Sequence, residues 1–271
     1  MKTENLKYAG RIFYGIAIIG IGVLHFFFKG FRPLISATQP ENPENVSNII
    51  YVFALYLITS GILILVGKKL KTTSILLACV LLVFLILGHL PKRIIDHPEL
   101  LGNWTNALKL GTLVGGAFLI SRSNSEDTSN NFISVLGKLA PFGKYFFSAM
   151  LIVFGIDHFI YQEFVSGLVP KWMPFPMFWT YLTGIALLGS GISILINFKT
   201  KTIFQLAAIM LFIWLLTIHI PLAIRFPHWN DGENIIGSFQ CLAFTGIALM
   251  LAFESVAPDP SLPSGQSITH R

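Results

Sequence analysis

Eight stretches of this chain approach the length of apolar helix needed to cross a bilayer, and nothing else in the sequence constrains the fold as strongly. A spanning helix needs about 20 mostly apolar residues, each adding about 1.5 Å against a hydrocarbon core of about 30 Å. The runs cover roughly 12–28, 49–66, 74–90, 107–120, 145–161, 178–196, 204–220 and 235–253. The fourth is the weakest, with Lys109 near its start and several glycines. Backbone in lipid must satisfy its hydrogen bonds internally, and these runs lack the alternating polarity of barrel strands, so helices are predicted. Only 12% of the residues are charged, against roughly 25% in a soluble domain. That excludes a soluble globule, and long apolar runs exclude a disordered chain. The first run follows Lys2 and Lys7 as a secretory signal would, but it is long for one and no small-residue cleavage site follows it.

The two halves repeat. An offset of 133 pairs Gly10 with Gly143, Arg11 with Lys144, Phe13 with Phe146, Gly22 with Gly155, His25 with His158 and Phe26 with Phe159. An offset of 130 then pairs Tyr51 with Tyr181, Gly61 with Gly191, Lys71 with Lys201, His89 with His219, Pro91 with Pro221 and Gly116 with Gly246. Four helices per copy is an even number, so both copies take the same orientation, unlike the inverted repeats of many transporters. The expectation is an all-α polytopic membrane protein, eight transmembrane helices in two parallel-repeat four-helix bundles. The first covers 1–120 and the second 141–256, joined by a polar linker over 121–140 and followed by a Pro- and Ser-rich tail over 257–271.

Charge predicts orientation. The N-terminus, the even-numbered connections and the tail hold 12 of the 19 basic residues, whereas 8 of the 13 acidic ones fall on the other side. The positive-inside rule then makes both termini cytoplasmic, in what reads as a bacterial inner membrane. The net charge of +6 is explained by topology without nucleic acid, leaving the lipid bilayer as the implied partner.

That orientation gathers the histidines. His25 lies 14 residues after Arg11, roughly 21 Å of helix, and His89 and His219 each lie 18 residues after Lys71 and Lys201, roughly 27 Å. These three, with His158, fall in the outer third of the membrane, as do the loop residues His97 and His228 in the outer half. Asp157 adds a carboxylate at a depth where polar groups are costly and commonly functional. His158, Asp157 and His219 are the catalytic candidates. Arg93, Arg225 and Trp172 join His25, His89, His158 and His219 as candidate ligand-binding groups. Two readings compete: anchoring of a polar edge among headgroups, and a site that binds a quinone or another lipophilic ligand. Bis-imidazole haem ligation is a weaker use of helix-borne histidines, and no metal-binding motif occurs. Cys79 and Cys241 lack the spacing of a redox pair and read as small apolar residues.

The segment Val169 to Gly184, VPKWMPFPMFWTYLTG, is the most distinctive. Its prolines deny a regular helix at the outset, and its aromatics suit an interface anchor or a lid. The order Gly, two residues, His-Phe in the first helix, then VPKWMP, an aromatic-rich entry and the TG and SG of the next helix resembles the DoxX-like membrane proteins. The resemblance is clearest over 143–196. Such proteins are usually single four-helix units, so this chain resembles two units fused. The resemblance implies a link to membrane redox systems, such as thiosulfate to quinone electron transfer, and a membrane redox partner. A non-enzymatic transporter or an assembly and partner-binding protein is the alternative. The first half departs from the pattern: its corresponding loop reads SATQPENPENVSN, which weights His158 and Asp157 above His25.

Overall fold

The computed structural model describes residues 2–37, 42–95, 98–99, 101–122 and 131–253. The tail 257–271 and residues 123–130 of the polar linker lie outside the described residues. Among those described, the protein is all helix. Its long helices are α1 (Lys2–Phe27), α2 (Ser47–Val66), α3 (Leu70–Phe84) and α4 (Leu101–Ser121). Short α5 (Asn131–Gly137) leads into α6 (Gly143–Ile160), short α7 (Gln162–Leu168) and α8 (Pro176–Leu195). Then come α9 (Thr200–Trp214), short α10 (Ile220–Arg225) and α11 (Glu233–Ala252).

Among the described residues, seven helical segments are long and apolar enough to cross a membrane. The faces they turn outward carry large apolar side chains such as Val52, Leu55, Ile185, Leu206 and Ile209, all more than half exposed. A continuous apolar exterior of this kind needs lipid around it. The run over 107–120 is a helix, α4, but falls outside the seven. The polar residues of its first half, Thr105, Asn106 and Lys109 among them, lower its hydropathy, while every residue from Leu110 to Ser121 is buried in protein. A helix sheathed by other helices needs small residues more than hydropathy. Gly111, Gly115 and Gly116 of α4 all lie against neighbouring chain.

The helices pack antiparallel along α1–α2 and α6–α8, but the two halves are not separate bundles. α1 lies along α11, and α4 along α6. The crossing points bring backbone against backbone. A Cβ at Gly10 would lie 2.5 Å from the Gly246 carbonyl oxygen, and one at Gly115 would lie 2.5 Å from that of Gly143. In the expected alignment Gly116 matched Gly246; the contacts make Gly115 the counterpart, a shift of one residue in the fourth helix of the unit. Near the centre, the buried Tyr14 hydroxyl of α1 donates to the Leu113 carbonyl of α4 at 2.6 Å.

Residues matched between the halves make matching contacts. A Cβ at Gly22 would meet the Ala54 carbonyl and Ile58; one at Gly155 would meet the Gly184 carbonyl and Leu188. Gly61 faces Gly15 and Ile19, as Gly191 faces Ser148 and Ile152. The tight turns agree as well. Lys68 N–H bonds the Leu63 carbonyl at 3.1 Å and Phe198 N–H that of Ser193 at 2.8 Å, and Lys69 and Lys199 both take positive φ. Each third helix also widens into π geometry, over Leu85–Ile95 and Leu215–His219. Pro91 and Pro221 explain it: proline lacks an N–H and clashes with the carbonyl of the preceding turn, which a wider turn relieves. His89 and His219 sit two residues before those prolines.

Because both sides of the α4–α6 crossing are backbone, Gly115→Leu cannot be relieved by a rotamer change. Overpacking costs about 1–3 kcal/mol, so its Tm in detergent should fall by several degrees or more. Gly189→Ala, which meets nothing within 4 Å, should leave Tm unchanged in the same scanning-fluorimetry experiment.

Candidate functional site

Four of the candidate histidines lie at helix ends in two differently finished settings, His25 with His89 and His158 with His219. In the first half, His25 sits at the end of α1, where its Nδ1 donates to the Ile21 carbonyl at 2.8 Å. A carbonyl can only accept, so Nδ1 carries the proton and Nε2 the lone pair. The chain then turns back over the helix ends. Arg32 backbone N–H reaches His25 Nε2 at 3.4 Å, and His89 Nε2 donates to the Leu34 carbonyl at 2.9 Å. Leu34 and Ile35 are buried by this turn, and Phe31 packs with Phe53 and Phe84 in an aromatic cluster around the His25 ring. His25 and His89 are 1% and 0% exposed, so this end is sealed.

Arg32 locks the seal. Its guanidinium donates to the carbonyls of Asp231 at 2.8 Å, Lys29 at 2.5 Å and Gly30 at 3.1 Å, and lies 5.2 Å from the Phe28 ring. Burial lowers the Arg32 pKa, while nearby Asp231 and Glu233 act in the opposite direction. The Asp231 contact ties the first half's loop to the entry of α11. Gly232 makes that approach possible: its φ is +84°, and a Cβ there would come 2.6 Å from the Phe28 ring.

In the second half, His158 repeats the first contact, with Nδ1 donating to the Phe154 carbonyl at 2.7 Å. Its ring stacks on Trp214 at 6.0 Å, and Trp214 stands where the first half has Phe84. The covering turn is absent. The chain after α6 forms α7, which packs along α8 and buries none of its residues. His219 is half-buried, with Nδ1 facing Gly237 of α11, where a Cβ would come within 3.2 Å.

A charged cluster borders this end. Thr105 Oγ1 of α4 donates to Asp157 Oδ2 at 2.6 Å, whereas the buried Oδ1 has no hydrogen-bond partner among the described residues. Lys109, one turn along α4, donates to Asn106 Oδ1 at 3.3 Å and lies 5.6 Å from the Phe154 ring. Its charge acts on both Asp157 and His219. One ammonium therefore links a carboxylate on α6 to an imidazole at the end of α9.

The remaining candidates are elsewhere. Trp172 is 73% exposed, and Arg225 is exposed with its guanidinium 5.2 Å from the Phe226 ring. Neither touches the cluster. The Arg93 side chain and His97 lie outside the described residues; His228 packs on Phe28. Sequence reasoning missed Thr105 and Lys109 as site residues. Lys109 carried a signal, since a charge inside an apolar helix commonly marks function. Thr105 carried none, because one threonine near a helix start is ordinary. In the first half both ring nitrogens of His25 are used by the chain itself, as is Nε2 of His89. One turn below Trp214, Met210 lines a groove of about 350 Å³ between α8 and α9, with Ala186, Gly189 and Ala207.

Compared with known families, residues 147–249 match one described as a domain of unknown function, DUF8561. The match takes in Asp157, His158, Trp214 and His219, and excludes Thr105 and Lys109. No curated protein and no solved structure matches the chain.

Thr105→Val keeps the shape of the side chain and removes the hydroxyl that donates to Asp157. Stranding a buried polar group costs about 1–3 kcal/mol. The variant should show a lowered Tm in detergent, and Asp157→Asn added to it should recover part of the loss.

Proposed function

We propose that the chain is an eight-span membrane protein of DoxX-like type, a duplicated four-helix unit whose second half binds a quinone-like or other lipophilic ligand near the outer face. The observation that carries this reading is the difference between the two ends: in the first, the loop hydrogen-bonds both histidines, whereas in the second no loop among the described residues bonds His158 Nε2 or His219, and half-buried Trp214 and His219 stand with the 7%-exposed His158 near Asp157 and Lys109. Charged groups at such depth are retained chiefly for function. An imidazole N–H suits a ligand carbonyl, Trp214 suits a planar apolar body, and the α8–α9 groove suits a tail. Within a membrane redox system the chain's own residues would orient the ligand, and Asp157 or a histidine would hold a proton beside it.

α4 counts as a spanning helix in this reading because its 21 residues give about 31 Å of rise. The matching glycine crossings support duplication, and the basic residues at the opposite end support cytoplasmic termini. One observation favours a transporter instead: the Lys109–Asp157 interaction lies between α4 and α6, where the two halves meet.

Protein purified in mild detergent should bind decylubiquinone, and the pair His158→Ala with Asp157→Ala should weaken that binding at least tenfold. Unchanged binding in the double variant, or none in the parent, overturns the ligand assignment. Solute flux in proteoliposomes without quinone binding would establish the transporter. In cells, Lys68→Cys should react with an impermeant maleimide only after permeabilisation.

A further inference from the structure

The first half shows what its own site accepts, because part of the chain is bound there. Two backbone groups of the covering loop meet the paired histidines: the Arg32 N–H approaches the lone pair on His25 Nε2, and the Leu34 carbonyl accepts from His89 Nε2. The loop therefore offers one donor and one carbonyl acceptor, carried on an apolar body that packs against Phe53 and Phe84. It acts as a tethered ligand.

The second half has the same receiving groups without the loop. His158 Nδ1 is committed to the Phe154 carbonyl just as His25 Nδ1 is to that of Ile21, so its Nε2 is left as an acceptor. That Nε2 receives no hydrogen bond among the described residues. His219 occupies the place of His89 and makes no hydrogen bond among the described residues either. Trp214 replaces Phe84 as the aromatic wall and stacks on His158. The segment that could have supplied the backbone donor and acceptor has folded instead into α7, along α8.

We infer that the second-half site recognises a lipophilic molecule whose head carries a carbonyl next to an N–H or O–H donor, the carbonyl taken by His219 and the donor by His158 Nε2. This rests on the reading of that end as a ligand site and narrows it: a quinone with carbonyls alone satisfies His219 but leaves His158 without its donor. The shared chemistry is found in acyl amides and in hydroxyquinones. A donor is worth most where water is excluded, because the unpaired group opposite then remains unsatisfied.

The test uses the full chain in detergent and two matched pairs of probes. N-decylacetamide is compared with N-decyl-N-methylacetamide, and 2-hydroxy-3-decyl-1,4-naphthoquinone with its 2-methoxy form. Each second member keeps the carbonyl and loses the donor. The donor-bearing member of at least one pair should bind about tenfold more tightly, and the pair that shows it identifies the source. His158→Phe, which keeps an aromatic ring against Trp214, should abolish the difference within that pair. His219→Phe should weaken both members alike.

If the methylated members bind as tightly as their parents, the donor assignment is overturned while the lipophilic site stands. If none of the four binds, and decylubiquinone does not either, the site itself is overturned. The comparison within each pair uses the parent protein and survives even where a histidine variant fails to fold.

Discussion

Backbone-to-backbone contact at four glycines holds the architecture together. Gly10 against Gly246 and Gly115 against Gly143 let the first helix of each half lie directly on the fourth helix of the other. Within a bilayer there is little hydrophobic gain in bringing apolar helices together, so close van der Waals approach has to supply the association. Any side chain at these positions would force the axes apart. The rest follows from that approach: α4 is enclosed, Tyr14 of α1 reaches the Leu113 carbonyl, and Thr105 and Lys109 of α4 are carried beside Asp157 of α6.

The polar ends of the two halves differ because of their connecting segments rather than their helices. Both contain a histidine bonded to the carbonyl one turn back, and both have a second histidine set in a π-widened turn before proline. In one half a short turn lies across these groups and is held by an arginine with three carbonyl partners. In the other a separate helix carries the chain away. The helices create the receiving groups, and the loop decides whether they are already satisfied.

Much of this could be read from residues. The helical runs, the recurrence of His25 as His158 and of His89 as His219, and the start of α8 within its proline-rich entry all have local signatures. What could not be read depends on distant partners. α4 falls short of its neighbours in hydropathy because Thr105, Asn106 and Lys109 stand in its first half, and two of these acquire their meaning from Asp157 on another helix. The Arg32 contact with Asp231 joins residues 199 positions apart, and no pattern in either loop announces it. Lys109 was visible but counted against its helix, since its meaning came only from Asp157 and His219 on other helices. The π turns likewise follow from proline clashes that leave the apolar periodicity nearly intact.

The crossed packing of the halves has a consequence for symmetry. Two identical chains meeting through such an interface would form an isologous pair, obliged to present the same residues twice. Here both halves lie on one chain, so that meeting is intramolecular. Self-complementarity is then no longer required. The face that carries Lys109 and Asp157 on one side of the axis can carry Gln240 and Leu24 at the matching positions on the other. One half can therefore close its end with its own loop, pinned by Arg32, while the other carries the costly charges.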